Sequence, residues 1–435
     1  MDSNNKTRKL DAELWDKTQF ILSDFYDRMM HFALFYEGIL DINIIRKSID
    51  AVIKNVPVLH SQYITNIIKP YWLVCDYKLE NLAKEVETKD IEKDTLEFLK
   101  GEISNKEKLQ FKCTIFVDKE NNKCAFATIV NHQCFDGSDY KYIMYKIIEC
   151  YNSYIKFGNI DNITIKNGTR NIKQLYENMD KTIAEKAKGL YKNISQSKIK
   201  TKFKFTDDTN CYKCFIRNEI DADTFKKIKE KAKKDKVSIN DVLIAAYCRS
   251  LIKEINQDNN YPVQVTSMMD LRRHMLNGGT VGATNMTAFM FCELYNGIGD
   301  NFKETLKLVK EETSKNKNDN VAGLHGIPLL NLAYKIFQLD FLATFAIKLG
   351  YNNPYVQMSN FGLLNTENIN FEGCKIYDCL LTGAVKYKPY FQLTCVTLND
   401  NLKFCIAEKC SKEDEKLIKQ FLKDLIAELI EYSKD

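Results

Sequence analysis

Residues 123–137 read KCAFATIVNHQCFDG, and the parsing of this stretch decides the fold. Its first eight residues are apolar, aromatic or β-branched around one Lys, the composition of a buried strand. Residues 108–117, KLQFKCTIFV, are a second β-rich run, and DKENN between them supplies turn residues, so the pair is read as a hairpin. Residues 138–156, SDYKYIMYKIIECYNSYIK, then carry apolar side chains at helical spacing. Upstream, DINIIRKSIDAVIKN (41–55) shows the same period after an Asp cap. Residues 10–30 read as a mixed strand and helix segment. The first unit is therefore α+β, with strands expected to pair antiparallel rather than through βαβ crossovers.

Downstream, residues 157–204 are polar, basic and rich in Asn and Lys, and read as a surface helix plus a linker. The pattern then restarts. A strand is expected over 211–220, a charged helix over 221–236, and a buried helix over 238–255 capped by Ser238 or Asn240. Strands at 262–271 and 287–294, a helix at 300–317, three C-terminal strands and a closing helix at 412–433 complete the order. Glycine-rich sequence separates the strands at 262–271 and 287–294. The expected organisation is a first unit over 1–160, a linker over 161–205 and a second unit over 206–435. The apolar stretch 324–350 is interrupted by Lys335, Asp340 and Lys348, so it reads as one or two buried helices and not a membrane span. It could line a long-chain pocket or fill the core.

The chain has 435 residues, 45% hydrophobic and 28% charged, which excludes global disorder. Sixty-three basic against 58 acidic residues leave a net charge of +5, too dilute for a nucleic-acid footprint. The lysine-rich helix at 226–236 reads as a solvated face. The first sixteen residues lack an apolar stretch behind a basic start, so no secretory signal is expected. Fourteen cysteines are scattered through apolar runs, as reduced thiols are in a cytoplasmic protein. Cys211 and Cys214 form one C-x-x-C with no second pair at zinc spacing, so no metal site is assigned.

Of five histidines, His132 stands apart. It follows a strand and precedes a helix, in the pattern H-x-x-x-D-G formed with Asp136 and Gly137. Gly137 would permit a tight backbone turn. A neutral imidazole, with an unperturbed pKa of about 6.5, can take a proton from an alcohol or amine attacking an acyl carbon. Asp136 could polarise the histidine, or pair with a cation and brace the loop; spacing alone allows both. Cys134 is the nearest thiol, but no activated nucleophile is evident.

This motif resembles that of the acyltransferase superfamily that includes chloramphenicol acetyltransferase, alcohol acetyltransferases and the condensation domains of peptide synthetases. Ser238-Ile239-Asn240-Asp241-Val242-Leu243 resembles the helix that opens the second half of those proteins. Met269-Asp270-Leu271-Arg272-Arg273 resembles their strand-end D-L-R element, and Ser359-Asn360-Phe361-Gly362 their S-N-x-G element. The resemblance spans roughly residues 10 to 430. It implies two chloramphenicol-acetyltransferase-like α+β halves arranged as a V around a central tunnel. It implies that His132 is the catalytic base and that Asp136 pairs with an arginine, for which Arg272 beside Asp270 is the candidate. It places Ser359 and Asn360 at the tunnel as substrate-binding residues. Acyl-CoA, or a thioester on an acyl carrier protein, would be the co-substrate, with a small-molecule acceptor and no bound cofactor. The basic stretch 181–204 could dock a carrier. The sequence departs from the condensation pattern at Asn131, where those domains carry a first histidine, and the plant D-F-G-W-G element is absent. No attached carrier or adenylation domain is expected. A free-standing, monomeric acyl-CoA-dependent O- or N-acyltransferase is the expected function; a carrier-dependent condensation enzyme and a non-catalytic member of the fold are the alternatives.

Overall fold

A computed structural model describes residues 8–66, 69–165, 168–190, 198–276, 282–336, 342 and 353–434. The hairpin forms as expected: Phe111–Asp118 pairs antiparallel with Lys123–Asn131, which pairs antiparallel with Met29–Glu37. Both of the latter strands are apolar without alternation because both faces of their sheet are covered. Phe32, Leu34, Tyr36, Cys124 and Phe126 face a core built with helices Ile42–Asn55 and Gly137–Phe157. Ala33, Phe35, Ala125 and Ile129 face a second cluster that includes Phe215, Cys405 and Ala407 of the other large sheet. Residues that look like one buried strand in sequence thus join two layers of the molecule.

Two strands of this five-stranded sheet depart from the antiparallel expectation or from its chain order. Lys84–Glu87 lies parallel to Phe111–Asp118, joined through helix Ile91–Leu99, so a βαβ crossover is present after all. Lys84–Glu87 is exposed and charged, without the apolar pattern that marks a strand. The opposite edge is Lys375–Thr382, which comes from far along the chain and pairs antiparallel with Met29–Glu37.

The second large sheet runs in the order Thr287–Leu294, Val263–Asp270, Val356–Leu363, Phe391–Leu398, Asn401–Cys410. Tyr212–Ile220 and the short strand Lys386–Tyr387 both pair with Asn401–Cys410. Four C-terminal strands of eight or more residues are present where three were expected, because Lys375–Thr382 serves the first sheet. Helices Ile239–Glu254 and Lys412–Lys434 cover the second sheet through Val242, Leu251, Phe421 and Leu425. Ser238 is the cap of the first, in a reciprocal capping box with Asp241. On helix Ala222–Lys234, Phe225, Ile228 and Ala232 turn inward.

Residues 168–190 do more than connect. Short helices Lys173–Glu177 and Lys181–Lys188 bury Leu175, Ala184 and Ala187 in a third cluster with Leu14 and Leu271. Part of the apolar stretch also belongs there: Leu324 and Ile327 are buried and Leu330 packs against the cluster, while helix Ile327–Ile336 also presents Leu329, Leu330 and Ala333 to a cavity. The remainder of that stretch, 337–341 and 343–350, lies outside the described residues. A small three-stranded sheet, Lys9–Asp11, Tyr71–Val74 and Ser61–Ile64, carries the buried Trp72. Among the described residues no helix is long and apolar enough to cross a membrane.

Candidate active site

The motif strand ends at Asn131, set against Met29 by the antiparallel register. The next amide, of His132, donates to the Arg28 carbonyl at 2.8 Å. Arg28 itself adopts the left-handed conformation, φ 61°, which turns its carbonyl toward the loop. The chain then makes a turn and re-enters helix at Gly137 with Asp136 as cap. His132 borders a cavity of about 1060 Å³. Its Nδ1 is buried, and no partner meets hydrogen-bond geometry there. Burial lowers the imidazole's pKa below its ordinary value; the approach of its own carbonyl and the charge of Asp136 oppose the shift. The ring is therefore neutral at pH 7.

Asp136 braces the loop. Its Oδ1 accepts from the amides of Ser138 and Asp139 at 3.1 and 3.2 Å. Its Oδ2 accepts from Arg272 Nη1 at 2.8 Å and from the Met286 amide at 2.7 Å. With four donors engaged, the carboxylate is spent on the loop and on the segment 284–286. Arg272 also holds Asp270 at 3.1 Å, Asp139 at 2.8 Å and the Thr284 carbonyl at 3.1 Å. Three carboxylates around one guanidinium leave excess negative charge. Burial, then Asp136, push Asp139 up to about 7, against the pull of Arg272.

A second ion pair holds the same loop from the other side, and nothing in the motif announced it. Arg170 meets both carboxylate oxygens of Asp16 at 2.8 Å and donates to the Cys134 carbonyl at 2.8 Å and the Ala283 carbonyl at 2.7 Å. Asp16 is fully buried and also accepts from Trp72 Nε1 at 2.8 Å. Asn285 completes the support: its amide nitrogen donates to the His132 carbonyl at 2.9 Å. Asn131, the departure from the two-histidine pattern, is buried in an amide network. It donates to Gln110 Oε1 at 2.8 Å, and its Oδ1 accepts from the Gln133 amide at 3.0 Å.

Gly137 has a different reason than a tight turn. It is the first residue of the helix, and a Cβ there would stand 2.6 Å from Phe361 Cε1. The glycine is an approach site for the S-N-F-G segment. Ser359 and Asn360 border the cavity on strand Val356–Leu363. The Asn360 amide is occupied, donating to Asn240 Oδ1 and accepting from the Gly362 amide, both at 2.8 Å. Ser359 borders the cavity, while Asn360 shapes the strand end. Asp270 also borders the cavity, with Oδ2 accepting from Ser138 at 2.9 Å. His132, Gly137, Asp270, Ser359 and Asn360 thus meet at one cavity; Asp136 and Arg272 stand behind its wall.

Cys134 is fully buried, its thiol pushed well up by burial and held protonated. All fourteen cysteines are free. Among the described residues no cluster of His, Cys, Asp and Glu could hold a metal.

No family model and no curated protein sequence matches the chain. Solved structures do match. The first condensation domain of the calcium-dependent antibiotic synthetase, in complex with a substrate analogue, aligns with TM-score 0.72 at 11% identity, over 99% of this chain and 98% of that one. Trichothecene 15-O-acetyltransferase from Fusarium sporotrichioides aligns with TM-score 0.71 at 11% identity, over 99% and 96%. Polyketide synthase associated protein 5 from Mycobacterium tuberculosis aligns with TM-score 0.68 at 11% identity, over 97% and 98%. The chain has the fold shared by condensation domains and chloramphenicol-acetyltransferase-like acyltransferases.

Proposed function

We propose that this protein is an acyltransferase that moves an acyl group from a CoA thioester to an alcohol or amine, with His132 as general base. The observation that carries the reading is a neutral imidazole at a strand end, on the cavity wall, with its loop braced by Asp136–Arg272 and Asp16–Arg170. Such a ring takes the acceptor's proton as the freed lone pair attacks the thioester carbonyl carbon. The tetrahedral intermediate collapses with loss of the thiolate, which takes the proton back from the imidazolium. No acyl-enzyme is required. Ser359, which borders the cavity, is the candidate donor to the oxyanion. Holding the base rigidly at the attacking atom supplies the orientational part of the acceleration.

The test is to incubate the full chain with acyl-CoAs of several lengths and a mixed panel of alcohols and amines, reading products by mass spectrometry. Acylated product supports the reading and identifies both substrates by class. Transfer only from a phosphopantetheinylated carrier would favour the condensation-type reading. Transfer from neither donor would favour the non-catalytic one.

A further inference from the structure

The charged side chains bordering the cavity are unevenly partnered. Its two carboxylates are engaged: Asp270 by Arg272 and Ser138, Asp319 by His325 and by the Val321 amide. Lys386 is not. It is 5% exposed and borders the cavity, yet makes no hydrogen bond or ion pair among the described residues. Its ammonium sits 4.1 Å from the centroid of the Tyr26 ring. Its backbone is fixed on both sides, paired with Glu408 of Asn401–Cys410 and bridged to Tyr26. Glu408 makes no ion pair with it: that carboxyl is fully buried, neither oxygen has a hydrogen-bond partner among the described residues, and burial pushes its pKa well above the usual range. Lys386 is close enough to His132 for its charge to lower that ring's pKa.

A buried ammonium facing a cavity with no carboxylate in contact is unfavourable unless something anionic fills the space. We propose that Lys386 is the counter-ion for a carboxylate that one of the two substrates carries into the cavity. The inference rests on the acyl-transfer reading and narrows its substrate class to an amino or hydroxy acid as acceptor, or a dicarboxylic acyl group as donor. Burial also pulls the Lys386 ammonium down to about 8, against Glu408 and Asp27, which fits a site that is completed when an anion binds. A cation–π contact alone supplies only part of what desolvation removes.

The experiment reads equilibrium binding by calorimetry, with the full chain and two arms. In the acceptor arm, α-, β- and γ-amino and hydroxy acids are each compared with their carboxamides. In the donor arm, S-succinyl pantetheine is compared with S-butyryl pantetheine, neither of which carries a phosphate. The expected result is that in one arm the carboxylate member binds roughly tenfold or more tightly, as a charge-assisted hydrogen bond allows. Lys386→Met should abolish that preference and Lys386→Arg should keep it. Lys386→Met breaks no ion pair, and an unchanged melting transition verifies its fold. No carboxylate preference in either arm of the wild type overturns the inference without any variant; so does a preference that survives Lys386→Met. Because binding needs no turnover, an absence of acyl transfer refutes the proposed function separately.

Discussion

Two arginines hold the loop that carries His132, and they do it differently. Arg272 faces three carboxylates, one of them 40% exposed, and stands between the motif helix and the segment 284–286. Arg170 faces one carboxylate that is fully buried, and spends its remaining donors on the carbonyls of Cys134 and Ala283. The first is an over-supplied, partly solvated cluster; the second is a single dry pair with no reserve. Losing one partner should therefore be felt as stability at the second and as electrostatics at the first, since an uncompensated buried charge is what makes such losses large.

The largest effect is expected from Arg170→Met, which strands the Asp16 carboxylate. Urea denaturation should show a loss of about 3–5 kcal/mol. Adding Asp16→Asn should recover part of it, a coupling that a double-mutant cycle measures. Independent, additive losses would mean that the pair is not the brace it looks like.

Arg272→Met should cost less stability, at the lower end of about 3–5 kcal/mol, because Asp136 keeps its three backbone donors. Its signature is in the pH profile. Removing the cation leaves the negative charge of Asp136 less compensated, which favours the protonated imidazole. The acidic limb of kcat/KM, set by His132, should move to higher pH in this variant. An unmoved limb would mean that Arg272 acts only as a structural brace.

Gly137→Ala sharpens the comparison by disturbing the same loop without touching a charge. The added methyl meets the Phe361 ring, so a loss of about 1–2 kcal/mol is expected, relieved by Phe361→Leu in the double variant. If the alanine variant alone is as stable as the wild type, the close approach does not constrain the helix start.

The smallest effect concerns Asp139. Its folded pKa, about 7, lies above that of an unfolded aspartate, so this group's contribution to stability is fullest below about pH 4. It falls as pH rises toward 7. Asp139→Asn should remove that decline, seen as a smaller difference between denaturation midpoints at pH 5 and pH 8. An unchanged difference would place the titrating proton elsewhere in the cluster.

The sequence showed the front of this arrangement and concealed the back. His132, Asp136 and Gly137 lie within six consecutive residues, so strand, turn and helix patterns located them directly. Arg272 was reachable only through the resemblance of Met269–Arg273 to a strand-end D-L-R element. Arg170 lies in a polar, Asn- and Lys-rich stretch whose composition says surface, and only its geometry with Asp16 makes it interior. Asp16 had a faint local signal, as the acidic member of a capping box with Glu13, but that pattern says helix start and not loop brace. The edge strand Lys375–Thr382 was legible as a strand but not as a member of the first sheet, because pairing between distant segments leaves no periodicity to read. Lys386 was invisible for a similar reason: a lysine in a short strand reads as solvated until the fold buries it. Gly137 was found at the right place for the wrong reason, since contact with Phe361 is a tertiary fact.

The central claim is that His132 is the base, and one comparison tests it most directly. Wild type and His132→Ala are assayed side by side on whichever acyl donor and acceptor the panel identifies, with melting transitions measured on both. The account predicts an unchanged transition and a loss of kcat/KM of roughly a hundredfold to ten-thousandfold, the range for removing a positioned general base. Transfer at the wild-type rate by a folded His132→Ala protein would contradict it.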